Sequence, residues 1–275
     1  MGIIHKTLST QSAEVIRHFT SQNQSAFTLA EATSLLKHSS GDTVRKLMRD
    51  MVNRGLLLRL KDGLYWIIPY DQEASDYFPN VHQVAGYLVG DANYYIGYYS
   101  ALELHSLITQ PSMVEQVVVD NQIKPSVLTI KGKQFQFIYH NKTHFFGAKN
   151  IWIDSFNKVP CSSLEKTFVD CLYKPHYGGG ITEISKALHK VRDKIDYEKL
   201  LEHCKKFNAQ TVIKRLGFLL ELLQINNPII ERLQKLKTPS FTPLEPSYEK
   251  QGKLISRWSI QQNIDTEDIT SPIFT

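Results

Sequence analysis

The stretch TLAEATSLLKHSSGDTVRKLMRDMVNRGLLLRLKDGLYWIIP, residues 28–69, changes hydrophobic period part-way along. Thr28 stands before an amphipathic run with Glu31 three residues on, the pattern of a capping box. Leu29, Ala32 and Leu36 then recur at i, i+3 and i+7, which marks one helical face. A tight loop follows over His38 to Asp42, with Gly41 and two serines. Asp42 or Thr43 opens a further helix whose apolar side is Val44, Leu47, Met48 and Met51, and Gly55 ends it. The runs LLLRL and LYWII read as strands joined by Lys61-Asp62-Gly63, a three-residue hairpin loop. Upstream, Leu8, Val15, Ile16 and Phe19 line a first helix, with Ser9 or Ser12 as its cap. Three short helices and a hairpin predict a winged helix-turn-helix over residues 1–70.

The polar side of the third helix carries the chemistry. Asp42, Arg45, Lys46, Arg49 and Asn53 face away from the apolar side, with Thr43 at its start. In a winged helix-turn-helix that side enters the DNA major groove. Arg can bond guanine bidentately, Asn can bond adenine, and Lys suits phosphate. Arg59 and Lys61 on the hairpin stand where a neighbouring phosphate or minor groove is within reach. The candidate DNA-binding residues are thus Thr43, Arg45, Lys46, Arg49, Asn53, Arg59 and Lys61. Any surface helix has a solvated charged face, but here the charges are nearly all positive. Residues 1–66 hold nine Lys/Arg, Lys6 among them, against five acids. They therefore carry +4 of the chain's net +5, the footprint of a polyanion-binding end.

The remainder reads as a second domain over residues 81–275, reached through an acidic linker at 71–80. VHQVAGYLVG and YYSALELHSL read as helices. Strands are expected over about 114–153, in VEQVVVDN, SVLTIKG, QFQFIYHN and NIWIDSF. Helices are expected over about 162–236, and an extended, proline-containing tail over 237–275 with one strand-like run, KLISRWSIQQ. Segregated strands and helices make the fold class α+β rather than alternating βαβ.

Several functions are disfavoured. The longest apolar runs fall far short of the ~20 residues of a membrane span. MGIIHKTLSTQSAEV lacks an apolar signal region, so a cytoplasmic location is expected. Cys161, Cys171 and Cys204 have no C-x-x-C spacing, so reduced thiols are expected. His140 and His144 stand four apart without further ligands and read as surface histidines; no metal and no cofactor is expected. Ser163-Leu164-Glu165-Lys166 spells S-x-x-K, but neither K-T-G nor S-D-N accompanies it. Ser162 to Glu165 reads instead as a capping box. No carboxylate-x-Lys nuclease core, Walker loop or G-x-S-x-G occurs. The chain is expected not to be an enzyme.

Three further stretches carry a family likeness. KDGLYWIIP at the hairpin, YYIGYYSALELHSL (94–107) and VPCSSLEKTFVDCLYKPHYGGGITEISKAL (159–188) resemble the AbiEi-type antitoxins of type IV toxin–antitoxin, abortive-infection systems. The likeness runs through Gly63, Tyr65 and Pro69, and then through Ser163, Glu165, Lys166, Thr167, Val169, Asp170, Pro175, Tyr177, Gly178 and Gly179. Ser106 departs from it, since these proteins often have Gly after the His.

The resemblance implies a phage-defence regulator with two functions. The first domain would repress its own operon by binding double-stranded promoter DNA. The second would counter a nucleotidyltransferase-like toxin without needing a stable complex. Candidate antitoxin-surface residues are Ser163, Glu165, Lys166, Asp170, Tyr177, Gly178 and Gly179, which equally well cap and brace a helix. The alternative readings are a plain transcriptional regulator whose second domain senses or oligomerises, and a nucleic-acid-processing enzyme.

Overall fold

Ser9, Thr28 and Ser40 set the starts of the first three helices in a computed structural model that describes residues 8–274. Lys6, part of the basic count, and Thr275, at the end of the tail, lie outside the described residues. The chain divides into two units, Met1–Gly90 and Asp91–Thr275.

The first unit opens with α1 (Thr10–Ser21), β1 (Ala26–Thr28), α2 (Leu29–Leu35) and α3 (Gly41–Asn53). It continues with β2 (Leu57–Lys61), β3 (Leu64–Ile67) and α4 (Val81–Val89). Ser9 accepts from the Ser12 N–H, and Thr28 and Glu31 form both halves of the expected capping box. The cap of α3 is Ser40, which accepts from the Thr43 N–H, so the helix begins ahead of the expected Asp42 or Thr43. Val15, Phe19, Phe27, Ala32, Val44, Met48, Met51 and Leu57 meet in one core, where Phe19 stacks on Phe27 at 4.3 Å.

The hairpin is tighter than expected. Lys61 pairs with Leu64, which leaves Asp62 and Gly63 as the turn, and the register shifts between Arg59 and Lys61. The run AFT, too short to show alternation, adds β1 against β3 with Phe27 opposite Tyr65.

The boundary also moves. α4, expected in the second domain, belongs to the first unit. Tyr87 packs edge-on against Trp66 at 5.5 Å, and the Lys61 ammonium donates to the Leu88 carbonyl at 2.7 Å. The segment 71–80 is no bare linker either, because the Trp66 indole N–H donates to the Tyr77 hydroxyl at 3.2 Å and Pro79 is buried.

The second unit begins with β4 (Tyr94–Ile96), α5 (Tyr98–Leu104), β5 (Val114–Val119), β6 (Val127–Ile130) and β7 (Lys133–Tyr139). Next come β8 (Ala148–Trp152), β9 (Lys158–Ser162) and α6 (Leu164–Tyr173). A 3₁₀ turn (Pro175–Gly178) leads to α7 (Gly180–Val191), α8 (Tyr197–Phe207), α9 (Gln210–Leu222) and α10 (Ile229–Leu236). The helices expected over about 162–236 are present as α6 to α10. The strands form one sheet in the order β6-β7-β5-β4-β9-β8. β5 pairs in parallel with β7, β4 pairs in parallel with β9, and the other neighbours are antiparallel. The near-continuous Val run of β5 is buried, as suits an interior strand with both faces covered. The architecture is α+β.

The expected extended tail is instead structured. β10 (Thr242–Pro243), β11 (Lys253–Ile255) and β12 (Ile260–Gln262) make a small sheet, and α11 (Thr266–Phe274) follows. The reason is Trp258, 1% exposed, which fills a site against α9 where Gly217 leaves room for its ring.

Candidate nucleic-acid interface and a buried polar cluster

α3 buries Val44, Met48 and Met51 and therefore turns Thr43, Arg45, Lys46, Arg49 and Asn53 to solvent. The tight hairpin brings Arg59 of β2 up to the same place. Arg45, Arg49 and Arg59 line one open groove of about 430 Å3 with Leu29, Asp62, Gly63 and Tyr65. Three guanidinium groups from two elements thus share one concavity. Arg45 is paired with Asp42 at 2.9 Å, and Arg59 is paired with Asp62. Among the described residues Arg49 has no ion-pair or hydrogen-bond partner. Lys46 and Asn53 are likewise exposed, but they do not line the groove. Thr43 shares a hydroxyl contact with Ser40 at 2.9 Å. Lys61 departs from its expected part. Its ammonium is spent on Leu88, which ends α4 as a cation at a helix C-terminus should.

The second candidate set lies elsewhere and is mostly not a surface. Ser163 caps α6 by accepting from the Lys166 N–H at 3.3 Å, and the expected Ser162 cap is displaced by one residue. Ser162 bonds the Thr167 hydroxyl at 2.7 Å instead. Glu165 pairs with Lys199 of α8 at 2.9 Å. Lys166 and Asp170, one helical turn apart, form an ion pair with both side chains fully buried. The amphipathic period of α6 is overridden here because helices and sheet enclose it on every side.

Around that pair the fold assembles groups from distant stretches of sequence. The Lys166 ammonium donates to the Tyr95 hydroxyl at 3.0 Å, and that hydroxyl donates to Asp170 at 3.0 Å. His140, just beyond β7, is 2% exposed rather than a surface histidine. Its Nε2 lies 2.7 Å from the Tyr98 hydroxyl, and its Nδ1 lies 3.3 Å from that of Tyr95. Tyr98 holds a left-handed φ of 52°, unusual for a bulky residue and tolerated only where the surroundings fix it. Tyr177 packs edge-on against Tyr98 at 5.2 Å. A Cβ at Gly178 would meet Cys171 at 2.9 Å, and one at Gly179, where φ is +82°, would meet the Tyr99 ring at 2.9 Å.

Burial sets the electrostatics. It pushes the Asp170 carboxyl up and the Lys166 ammonium down, while their mutual attraction opposes both changes. Burial, with Lys166 and Lys174 nearby, lowers His140 to about 3, so its imidazole is neutral. The cluster ties α6 to β4, α5 and the end of β7. Ser163, Glu165, Lys166, Asp170, Gly178 and Gly179 cap, pair or pack within it. No sequence pattern marks Tyr95, Tyr98 and His140 as partners; only the density of Tyr in YYIGYYS hints at them.

The three cysteines are free and buried. Among the described residues no group of His, Cys, Asp and Glu could hold a metal ion, and no helix is long and apolar enough to cross a membrane.

No family model matches the sequence, and no curated protein matches it. The chain is similar to the crystal structure of the RV2827C protein from Mycobacterium tuberculosis, with a TM-score of 0.70 and 13% identity over 98% of this chain and 96% of that one. At that identity the likeness is one of fold alone.

Proposed function

We propose that the chain is a double-stranded-DNA-binding regulator whose first unit is a winged helix-turn-helix, with α3 as the reading helix and the β2–β3 turn as the wing. The observation that supports this most is the groove in which Arg45 and Arg49 of α3 meet Arg59 of the hairpin. Guanidinium groups on a helix suit guanine edges, and one on a wing suits phosphate. Binding of the full-length protein to its own upstream DNA, followed as salt is raised, tests the reading. Each neutralised phosphate contributes about 0.9 to the log–log slope. Contacts from the groove arginines therefore give a slope of about −3. A slope near zero, or equal affinity for operator and scrambled duplex, sinks it.

Within that reading, the likeness of residues 159–188 to AbiEi-type antitoxins supports a cytoplasmic, non-enzymatic antitoxin that represses its own operon and counters a nucleotidyltransferase-like toxin. Co-expression with the product of the adjacent gene, scored for growth rescue, tests this part. The burial of Lys166 and Asp170 favours a second reading, a plain regulator whose second unit senses or oligomerises, because it removes those residues from any partner's reach. DNA binding without rescue selects the second reading.

A further inference from the structure

Asp42 is an acid set among the basic residues of α3. With 3.6 residues per turn, Asp42, Arg45, Arg49 and Asn53 fall within about 80° of one another. They lie opposite the buried Val44, Met48 and Met51, so whatever meets the outward side of α3 meets Asp42. Asp50, the other acid of the helix, falls outside that arc. The Asp42 side chain is 91% exposed, and its carboxylate accepts from the Arg45 guanidinium at 2.9 Å. Among the described residues no other group reaches that carboxylate. Arg45 thus spans two settings, because it lines the groove with Arg49 and Arg59 and also holds Asp42.

An acid in the first turn complements the helix dipole, and Asp42 does so. Ser40 already caps the helix, so Asp42 is not needed for that task. Against duplex DNA its charge has a further consequence. A carboxylate is repelled by phosphate, and pressed onto a base edge it needs an N–H donor. In the major groove the only donors are the amino groups of cytosine N4 and adenine N6. Adenine sets its N7 acceptor beside that amino group, where a carboxylate is disfavoured; cytosine has no acceptor there.

Arg45 remains free to read a base while it holds Asp42. A guanidinium has five N–H donors, and the pair occupies one of them, which leaves enough for both guanine O6 and N7. Along the helix axis the two residues stand about 4.5 Å apart, against about 3.4 Å between base pairs. They therefore address neighbouring base pairs. We propose that Asp42 is a specificity-determining residue of α3, accepting from the N4 amino group of a cytosine next to the guanine that Arg45 reads. This rests on the duplex-reading function proposed for α3.

The test selects bound duplexes from a randomised library with the full-length protein, and then measures affinity for the selected sequence and its single-base variants. The wild type should prefer cytosine at one position by about 5- to 150-fold, the usual cost of one wrong base pair. Arg45→Ala should flatten the preference for guanine at the adjoining position. Asp42→Ala should flatten the cytosine position, keep the preferences elsewhere in the site, and bind scrambled duplex more tightly. Asp42→Asn should move that position to adenine, which an amide reads through N6 and N7. A role confined to the helix dipole would lower the melting temperature of both Asp42 variants and leave every base preference as it was; that result overturns the proposal. So does a flattened position that is not cytosine, or one that does not adjoin the position flattened by Arg45→Ala. If the wild type selects no sequence at all, the duplex-reading function falls and takes this proposal with it. Selection by the wild type with an unchanged profile in Asp42→Ala removes the role of Asp42 alone.

Discussion

Lys166 and Asp170 pair across one turn of α6 with no side-chain surface left in water. A buried ion pair is costly to desolvate and far costlier to break, since the survivor is an unpaired charge. Lys166→Met or Asp170→Leu alone should therefore destabilise the second unit by about 3–5 kcal/mol. The double substitution should recover most of that loss. Urea unfolding of the three variants checks this. Equal losses in singles and double would mean that Tyr95, not the pair, carries the arrangement. Loss of toxin rescue in a single variant is interpretable only once circular dichroism shows it folded.

His140 should make stability fall in mild acid. In the unfolded chain its imidazole takes a proton near 6.5; folded, burial holds it to about 3. Between those values the unfolded state binds more protons, so stability rises with pH and is lost as pH falls through that window. One such group contributes a slope of about 1.4 kcal/mol per pH unit. His203, lowered to about 4 by burial and by Lys199, acts in the same direction. His140→Gln should remove one proton's share of the slope in urea midpoints and leave the rest. An unchanged slope would mean that His140 is charged in the fold.

Ser106 holds a left-handed φ of 58°, at the position where the antitoxin likeness leads one to expect Gly. An L residue there costs roughly 1–2 kcal/mol, partly offset by the lower unfolded-state entropy of Ser relative to Gly. Ser106→Gly should raise stability by about 0.5–1 kcal/mol. A fall in melting temperature would show that the hydroxyl contributes more than the strain costs.

Legibility followed the range of the interactions. The helices of the first unit were readable because Thr28 with Glu31, and Gly55 after α3, are local signals. The sequence pattern alone puts α4 in the second domain, because its place in the first unit depends on Trp66 and Lys61, which lie more than a dozen residues upstream. β1 and β4, three residues each, are too short to show alternation, and their partners are distant in sequence, while β9 is interrupted by Pro160, which argues against a strand. Lys166 and Asp170 were legible as a motif but not as buried residues, since only the packed helices decide that. His140 reads as a surface residue in the sequence for the same reason.

Gly217 and Trp258 should be coupled. A Cβ at Gly217 would lie 2.0 Å from the Trp258 ring, and Glu221 holds that indole by its N–H at 2.7 Å. The ring cannot step aside without losing this bond. Gly217→Ala should then cost about 1–3 kcal/mol by overpacking, and Trp258→Ala about 3–5 kcal/mol by cavity formation. In the Trp258→Ala background, Gly217→Ala should be nearly neutral, because the clash is gone. Additive losses in that cycle would show that the tail does not dock through this contact.

Arg49 and Lys61 should separate reading DNA from shaping the unit that reads it. Arg49 is exposed, lines the groove and has no partner among the described residues, so none of these competes for its guanidinium. Arg49→Ala should lose about 1–3 kcal/mol on the preferred operator and blur specificity at one base pair. Lys61 looked like a phosphate contact in the sequence, but its ammonium ends α4 at Leu88. Lys61→Ala should leave the salt slope unchanged and cost about 0.5–1.5 kcal/mol of stability, the worth of one hydrogen bond. A drop of about 0.9 in its slope would return Lys61 to the phosphate surface. Asp62 supplies the complement, because it engages Arg59 at the hairpin turn. Asp62→Asn should free that guanidinium and raise affinity for scrambled duplex more than for operator. Specificity, measured as the ratio of the two affinities at one salt concentration, should therefore fall. If the ratio rises instead, Asp62 is not restraining Arg59 but competing with the DNA backbone across the groove.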